Sequence, residues 1–176
     1  MDAKSLAEQA KQKYAQEEFV NAAGTFAQAA QAYRDIQDEL NYAEMKNNES
    51  VAYLRAGKVE AAFRATDGTE TIFDKAGDQK RRGIAVANRA AALEAMKKHG
   101  EAMTEYNRAA DIFEAAGEGD MHSVVRRATA ELYMKRGYIS NSQMDILDSV
   151  RLAEKPSFAQ RLLKFLIRIG LFRPQL

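Results

Sequence analysis

The sequence predicts an all-α fold: a right-handed α-solenoid of four helical hairpins, followed by a C-terminal amphipathic helix. Three observations lead there. The first is an internal repeat. Sliding the chain by forty residues gives a register that holds four times, with small residues in three columns: Ala10, Ser50, Ala90 and Ala130; Ala22, Ala62, Ala102 and Ser142; Ala29, Thr69, Ala109 and Ser149. Large residues recur in step, as Tyr53, Leu93 and Tyr133, as Phe26, Tyr106 and Ile146, and as Tyr33, Phe73 and Phe113. The second is helical periodicity, with apolar and small residues at i, i+3, i+4 and i+7 in Phe19, Ala22, Ala23, Phe26, Ala29, Ala30 and Tyr33. The third is the absence of β-branched alternation, and of Pro before Pro156.

Each repeat divides into two helices. The spacing predicts them over 2–16 and 19–37, 39–56 and 59–76, 79–97 and 100–116, and 119–136 and 140–154. The repeats then run about 2–38, 39–78, 79–118 and 119–155, inside one domain of residues 1–156. Gly57, Gly77, Gly117 and Gly137 fall at the turns, where a left-handed residue follows a helix C-terminus. Asp67–Gly68 weakens the helix over 59–76, where Thr66 replaces the aromatic of its column. Small residues at helix crossings let the axes approach, and the aromatic on a neighbouring turn fills the space beside them. One hairpin cannot bury its apolar face alone, so the units are expected to stack, with the first helix of each lining the inner face.

Composition narrows the function classes. The 176 residues are 29% charged and 46% hydrophobic, as expected of one soluble globular domain. With no Cys, disulfides, thiolate zinc sites, iron–sulfur ligation and cysteine nucleophiles are excluded. The two histidines offer little to a metal. His99 shares a column with Phe19, Val59 and Ile139 and reads as a packing residue, whereas His122 reads as solvent-facing. No Ser–His–Asp set, Gly-rich phosphate loop or HExxH motif is present, and Thr66 to Asp74 lacks Ca²⁺-loop spacing. The expectation is a chain that is not an enzyme and takes no cofactor and no metal. Met1 to Lys13 is polar and of mixed charge, and no apolar run has the roughly 18 residues of a membrane span, so a cytoplasmic setting is expected. A net charge of +1 is not that of a nucleic-acid binder.

The stretches AYLRAGKVEAA, from Ala52, and AAALEAMKKHGEAMTEYNRAADIF, from Ala90, resemble the tetratricopeptide repeat. The match runs through Ala90, Leu93, Ala102, Tyr106 and Ala109, and the resemblance covers about residues 3–154. The forty-residue period is longer than that family's 34, and its Trp, Leu and Pro are missing. Longer hairpins of this kind are similar to those of soluble NSF-attachment proteins. The resemblance implies a protein–protein interaction scaffold or adaptor whose concave groove binds a peptide or helix, often through an Asn that pairs with the ligand backbone. That position falls on Glu8, Asn48, Asn88 and Ala128; the preceding column adds Asn47 and Arg127, and Arg55 lies two turns beyond Asn48. An Asn amide donates and accepts, so it can match a peptide unit. The expected groove residues are therefore Asn47, Asn48, Arg55, Asn88 and Arg127, against the plainer reading of polar side chains on a solvated face. Ala7, Ile84 and Val124 occupy clamp positions, so a carboxylate clamp is not expected.

Residues 157–176 form a separate feature. Pro156 breaks the chain, Ser157 can cap, and a helix follows. The segment carries Arg161, Lys164, Arg168 and Arg173 and no acid, a net +4 that leaves the rest of the chain at −3. Arg161, Lys164 and Arg168 share one stripe, opposite Phe158, Leu162, Leu163, Phe165, Leu166 and Ile169. The apolar arc spans about 200°, wider than the stripe of about 100° a simple cap needs. Three covers fit it: the last repeat or the chain's own groove, a second copy of the tail, or an anionic membrane surface, which would make the chain a peripheral membrane adaptor. Light scattering of the full chain and of residues 1–156, with and without anionic vesicles, separates them. Loss of stability on truncation marks an internal cover, and reversion of a larger particle to monomer marks self-association. Vesicle binding abolished by Lys164→Glu with Arg168→Glu marks the membrane.

Overall fold

A computed structural model describes residues 2–135. The predicted helices over 140–154 and 157–176, with every tail residue named above, lie outside the described residues. Those that are described form eight α-helices and no strand: α1 (Ala3–Ala15), α2 (Phe19–Asp35), α3 (Glu39–Arg55), α4 (Val59–Ala65), α5 (Thr69–Lys75), α6 (Gln79–Ala95), α7 (His99–Ala115) and α8 (Gly119–Lys135). Two compact units divide the chain between Ala102 and Met103. In the first, α1 packs on α2, α2 on α3, α3 on α4 and α5 on α6, while α3 also meets α5 and α6. The all-α expectation, with consecutive helices packed on their neighbours, holds for the described residues.

Helices α1, α2, α3, α5, α6 and α7 end the same way. The residue after the cap turns left-handed at Glu17, Gln37, Gly57, Gly77, Lys97 and Gly117. Its N–H donates to the carbonyl three residues back, and the next N–H to the carbonyl five back, as in Gly57 to Leu54 and Lys58 to Tyr53. This double closure uses carbonyls the helix has left free. The six turns stand twenty residues apart, so each hairpin is forty residues long and each helix has the same length of chain to use. Asp38 and Asp78 open α3 and α6, their carboxylates accepting from the backbone N–H of Asn41 at 3.1 Å and of Arg81 at 2.9 Å.

The small columns are the crossing points. Ala10, Ala90 and Ala130 have no exposed surface, nor do Ala22, Ala62, Ala102, Thr69 and Ala109. In the first unit, Leu6, Tyr14, Tyr33, Tyr42 and Tyr53 pack around a core that includes Ala10, Ala22, Ala29 and Phe26. Phe73 lies fully buried between Ala43 and Ala85.

The expected weak point over 59–76 is a break. The chain leaves α4 at Thr66, turns left-handed at Gly68 (φ 76°) and starts again as α5. Thr66 N–H donates to Phe63 rather than to Ala62, and the buried Thr66 and Thr69 hydroxyls donate to the Phe63 and Thr66 carbonyls. The carbonyl this leaves on Ala62 accepts from the Ser50 hydroxyl at 2.8 Å in the buried interface. Ser50 stands where other repeats have Ala, opposite the break between α4 and α5. Ser50→Ala removes the hydroxyl that reaches this carbonyl. A loss of roughly 1–3 kcal/mol is expected in urea unfolding; an unchanged midpoint would show that Ser50 has no such part.

Candidate functional site

Helix α3 forms a ridge with a pocket on either side, all within the first unit. The first pocket, about 410 Å³, is lined by Lys11 and Tyr14 of α1, Phe26 of α2, and Glu44, Asn48 and Val51 of α3. The second, about 300 Å³, is lined by Glu44, Asn47, Asn48 and Val51 of α3, Phe73 of α5, and Arg81, Ile84 and Asn88 of α6. Glu44, Asn48 and Val51 face both. Three lining positions of the second pocket repeat those of the first one hairpin along: Val51 stands in the column of Lys11, Ile84 in that of Glu44, and Asn88 in that of Asn48. Each is also lined by a phenylalanine from the second half of a hairpin, Phe26 in the first and Phe73 in the second, though the two stand in different columns.

A charged chain closes one end of the second pocket. The Asp78 carboxylate that caps α6 also accepts from Arg81 Nε at 2.7 Å, and Arg81 donates on to Glu44 at 3.1 Å. The Arg81 guanidinium lies over the Phe73 ring, 5.2 Å from its centre. The Arg81 backbone N–H and side chain hold the Asp78 carboxyl below its ordinary value, and the same pair raises Arg81. In the first pocket, Lys11 pairs with Glu8 at 2.7 Å, which raises its pKa. The lining cations are thus neutralised, and what the pockets present is apolar surface with amide groups.

Asn47 stands apart from the other amides. It is 5% exposed, and its buried Oδ1 has no hydrogen-bond partner. An unmet buried acceptor costs about 1–3 kcal/mol. Nothing in the fold asks for it, since Ala7 fills the same column one repeat earlier and is equally buried.

Of the expected groove residues, Asn47, Asn48 and Asn88 are brought together, with Asn48 and Asn88 half-buried. Arg55 is not with them. It is exposed at the last position of α3, its guanidinium 4.8 Å above the Phe19 ring. Arg127 is exposed on α8, in the second unit. Glu8 is exposed, and Ala128 is half-buried on α8. Glu44, Val51, Arg81 and Phe73 were not anticipated as lining residues. The signal was present in the helix geometry: Glu44 and Val51 lie four residues before and three after Asn48, and so share its face.

His122 corrects an expectation. It is not solvent-facing but 3% exposed, and its Nε2 accepts from Arg126 Nε at 3.3 Å. Arg126 also donates to Asn107 of α7 at 3.3 Å. Tyr42 occupies the same column and packs against both core clusters of the first unit, so the register itself marked the position as inward. His99 is half-buried. Among the described residues no group of three His, Cys, Asp or Glu could hold a metal ion, and no helix is long and apolar enough to cross a membrane.

Helices packed in succession and a groove free of reactive clusters define the class of the described residues, an all-α helical-repeat architecture. No family model matches the sequence, and no curated protein matches it. Among solved structures, the crystal structure of BtubC (BKLC) from P. vanneervenii is similar in fold, with a TM-score of 0.75 at 15% identity. The likeness covers 96% of this chain and 70% of that one.

The Asp78 carboxyl, lowered in the folded state, contributes stability above its unfolded value near 3.8, and that contribution fades as pH falls through the lower folded value. Asp78→Ala should cost about 1 kcal/mol at pH 7 through loss of the cap. The gap to the parent chain should narrow toward pH 3 in thermal melts. A gap that stays constant with pH would rule out the ionised cap as its source.

Proposed function

We propose that this chain is a non-catalytic scaffold or adaptor, a right-handed α-solenoid of tetratricopeptide-like hairpins that binds a peptide in the groove across α3. The observation that carries this reading is the pair Asn48 and Asn88. They hold equivalent positions in successive repeats, on adjoining pockets each lined by a phenylalanine. Amides repeating at the helix step, beside apolar pockets, suit a ligand that offers both side chains and backbone groups. An extended segment does so; a helix has already paired its backbone N–H groups internally. The partner is accordingly a protein that exposes such a segment, the setting is cytoplasmic, and no cofactor takes part.

The test is selection of peptides on the full chain from a random displayed library, followed by affinity measurement on the Asn48→Ala, Asn88→Ala double variant. Each hydrogen bond lost should weaken binding roughly five- to tenfold, with the melting temperature unchanged. Selected peptides that bind the double variant as tightly as the parent would place recognition elsewhere.

A further inference from the structure

We infer that the groove takes a segment carrying a cationic side chain, Lys or Arg, beside its apolar anchor, and that Glu44 is the residue that receives it. This deepens the peptide-binding reading and rests on it.

The charges of the groove do not balance. The residues lining the two pockets include two cations, Lys11 and Arg81, and one carboxylate, Glu44. Each cation already holds a carboxylate at 2.7 Å, Lys11 that of Glu8 and Arg81 that of Asp78. Those two pairs cancel. Glu44 is then a third carboxylate against two cations, which leaves the lining residues and their partners at a net −1. An acidic ligand would have to displace a carboxylate already in place, whereas a basic one meets a charge that is left over.

Glu44 is placed to use that charge. It lines both pockets, and its side chain is 40% exposed, so a ligand reaches it without any opening of the fold. Its Oε2 accepts from Arg81 at 3.1 Å, a longer contact than the 2.7 Å that Arg81 makes with Asp78. A carboxylate can accept about four hydrogen bonds, and the Arg81 contact on Oε2 leaves Oε1 to spare. As a structural ion pair, a half-exposed contact of this kind contributes little, and Arg81 keeps Asp78 without it. Asn48 lies one turn further along the same face of α3. A backbone that pairs with Asn48 therefore carries its side chains past Glu44, while Tyr14, Phe26 and Val51 line the first pocket for an apolar neighbour.

The experiment selects peptides from a random displayed library on the full chain and, in parallel, on its Glu44→Gln variant. Peptides taken by the parent should share one position where Lys or Arg is enriched about fivefold, and those taken by the variant should not. The tightest parent peptide then serves as the probe. Changing its shared Lys or Arg to Gln should weaken binding to the parent about fivefold and leave binding to Glu44→Gln unaltered. Glu44→Gln should melt as the parent does. No enriched Lys or Arg, equal enrichment on Glu44→Gln, or losses that simply add between peptide and protein overturn the role of Glu44 and leave the groove standing. Should Glu44→Gln fail to fold, the peptide change decides on the parent alone, and unaltered affinity overturns the proposal. A library that yields no peptide, or peptides that bind the Asn48→Ala, Asn88→Ala double variant as tightly as the parent, overturn the peptide-binding reading itself.

Discussion

The groove exists because helices in this chain cross on alanine. At Ala10, Ala22, Ala62, Ala90, Ala102 and Ala109 the side chain is a single methyl with no exposed surface, which lets neighbouring axes come close. A larger residue there would force the helices apart or into strained rotamers, since packed interiors have no slack to absorb it. Close approach at the crossing leaves a deficit beside it, and the aromatics fill that deficit: Tyr33, Phe73 and Phe113 in one column, Phe26 and Tyr106 in another. Phe26 and Phe73 then line the pockets on either side of α3. The binding surface is thus the outer edge of the same packing that holds the hairpins together.

A second constraint sets the metre. The helix ends recur at twenty-residue intervals, and each requires a left-handed residue. Gly57, Gly77 and Gly117 meet that requirement freely, whereas Glu17, Gln37 and Lys97 adopt a φ of 61° with side chains that cost about 1 kcal/mol there. The two backbone hydrogen bonds of each closure outweigh that cost and keep the turn length constant. Constant turn length places Asn88 where Asn48 stood one hairpin earlier. Where the chain does depart from the metre, between α4 and α5, the loss is repaired locally by Thr66 and Thr69 and across the interface by Ser50.

How far these features can be read from sequence depends on whether residue type or position carries them. Gly57, Gly77 and Gly117 announce their left-handed turns because glycine alone adopts that conformation without strain. Glu17, Gln37 and Lys97 announce nothing by type; only their distance from the glycines does. The break at Asp67–Gly68 is legible in its turn residues, but the hydroxyl of Ser50 reads as one more small residue until the Ala62 carbonyl is seen facing it. In the groove, Asn48 and Asn88 follow from the repeat register. Glu44 and Val51 follow from the helical face of Asn48, whereas Phe73 and Arg81 need the third dimension, because they join the site by contact across helices. Arg55 shares a helical face with Asn48, yet it ends α3 and is drawn over Phe19. A face rule carried to the last turn ignores what lies beyond the helix end.

Asn47 can be weighed against its own repeat. The repeat supplies an internal control: the same column holds Ala7, in an environment equally closed to solvent, and the hairpin forms without any polar group there. Against that control the asparagine adds only a cost, an acceptor taken out of water and given nothing in return. Chains are consistent across local and global preferences except where function sets the exception. Its neighbours show how a chain treats a polar group it needs for folding alone. Ser50 is bonded to Ala62, Thr66 to Phe63 and Thr69 to Thr66, each buried and each satisfied. Asn47 Oδ1 and Ser123 Oγ are buried without such a bond, so the packing that satisfies one set of polar groups leaves a cost on another.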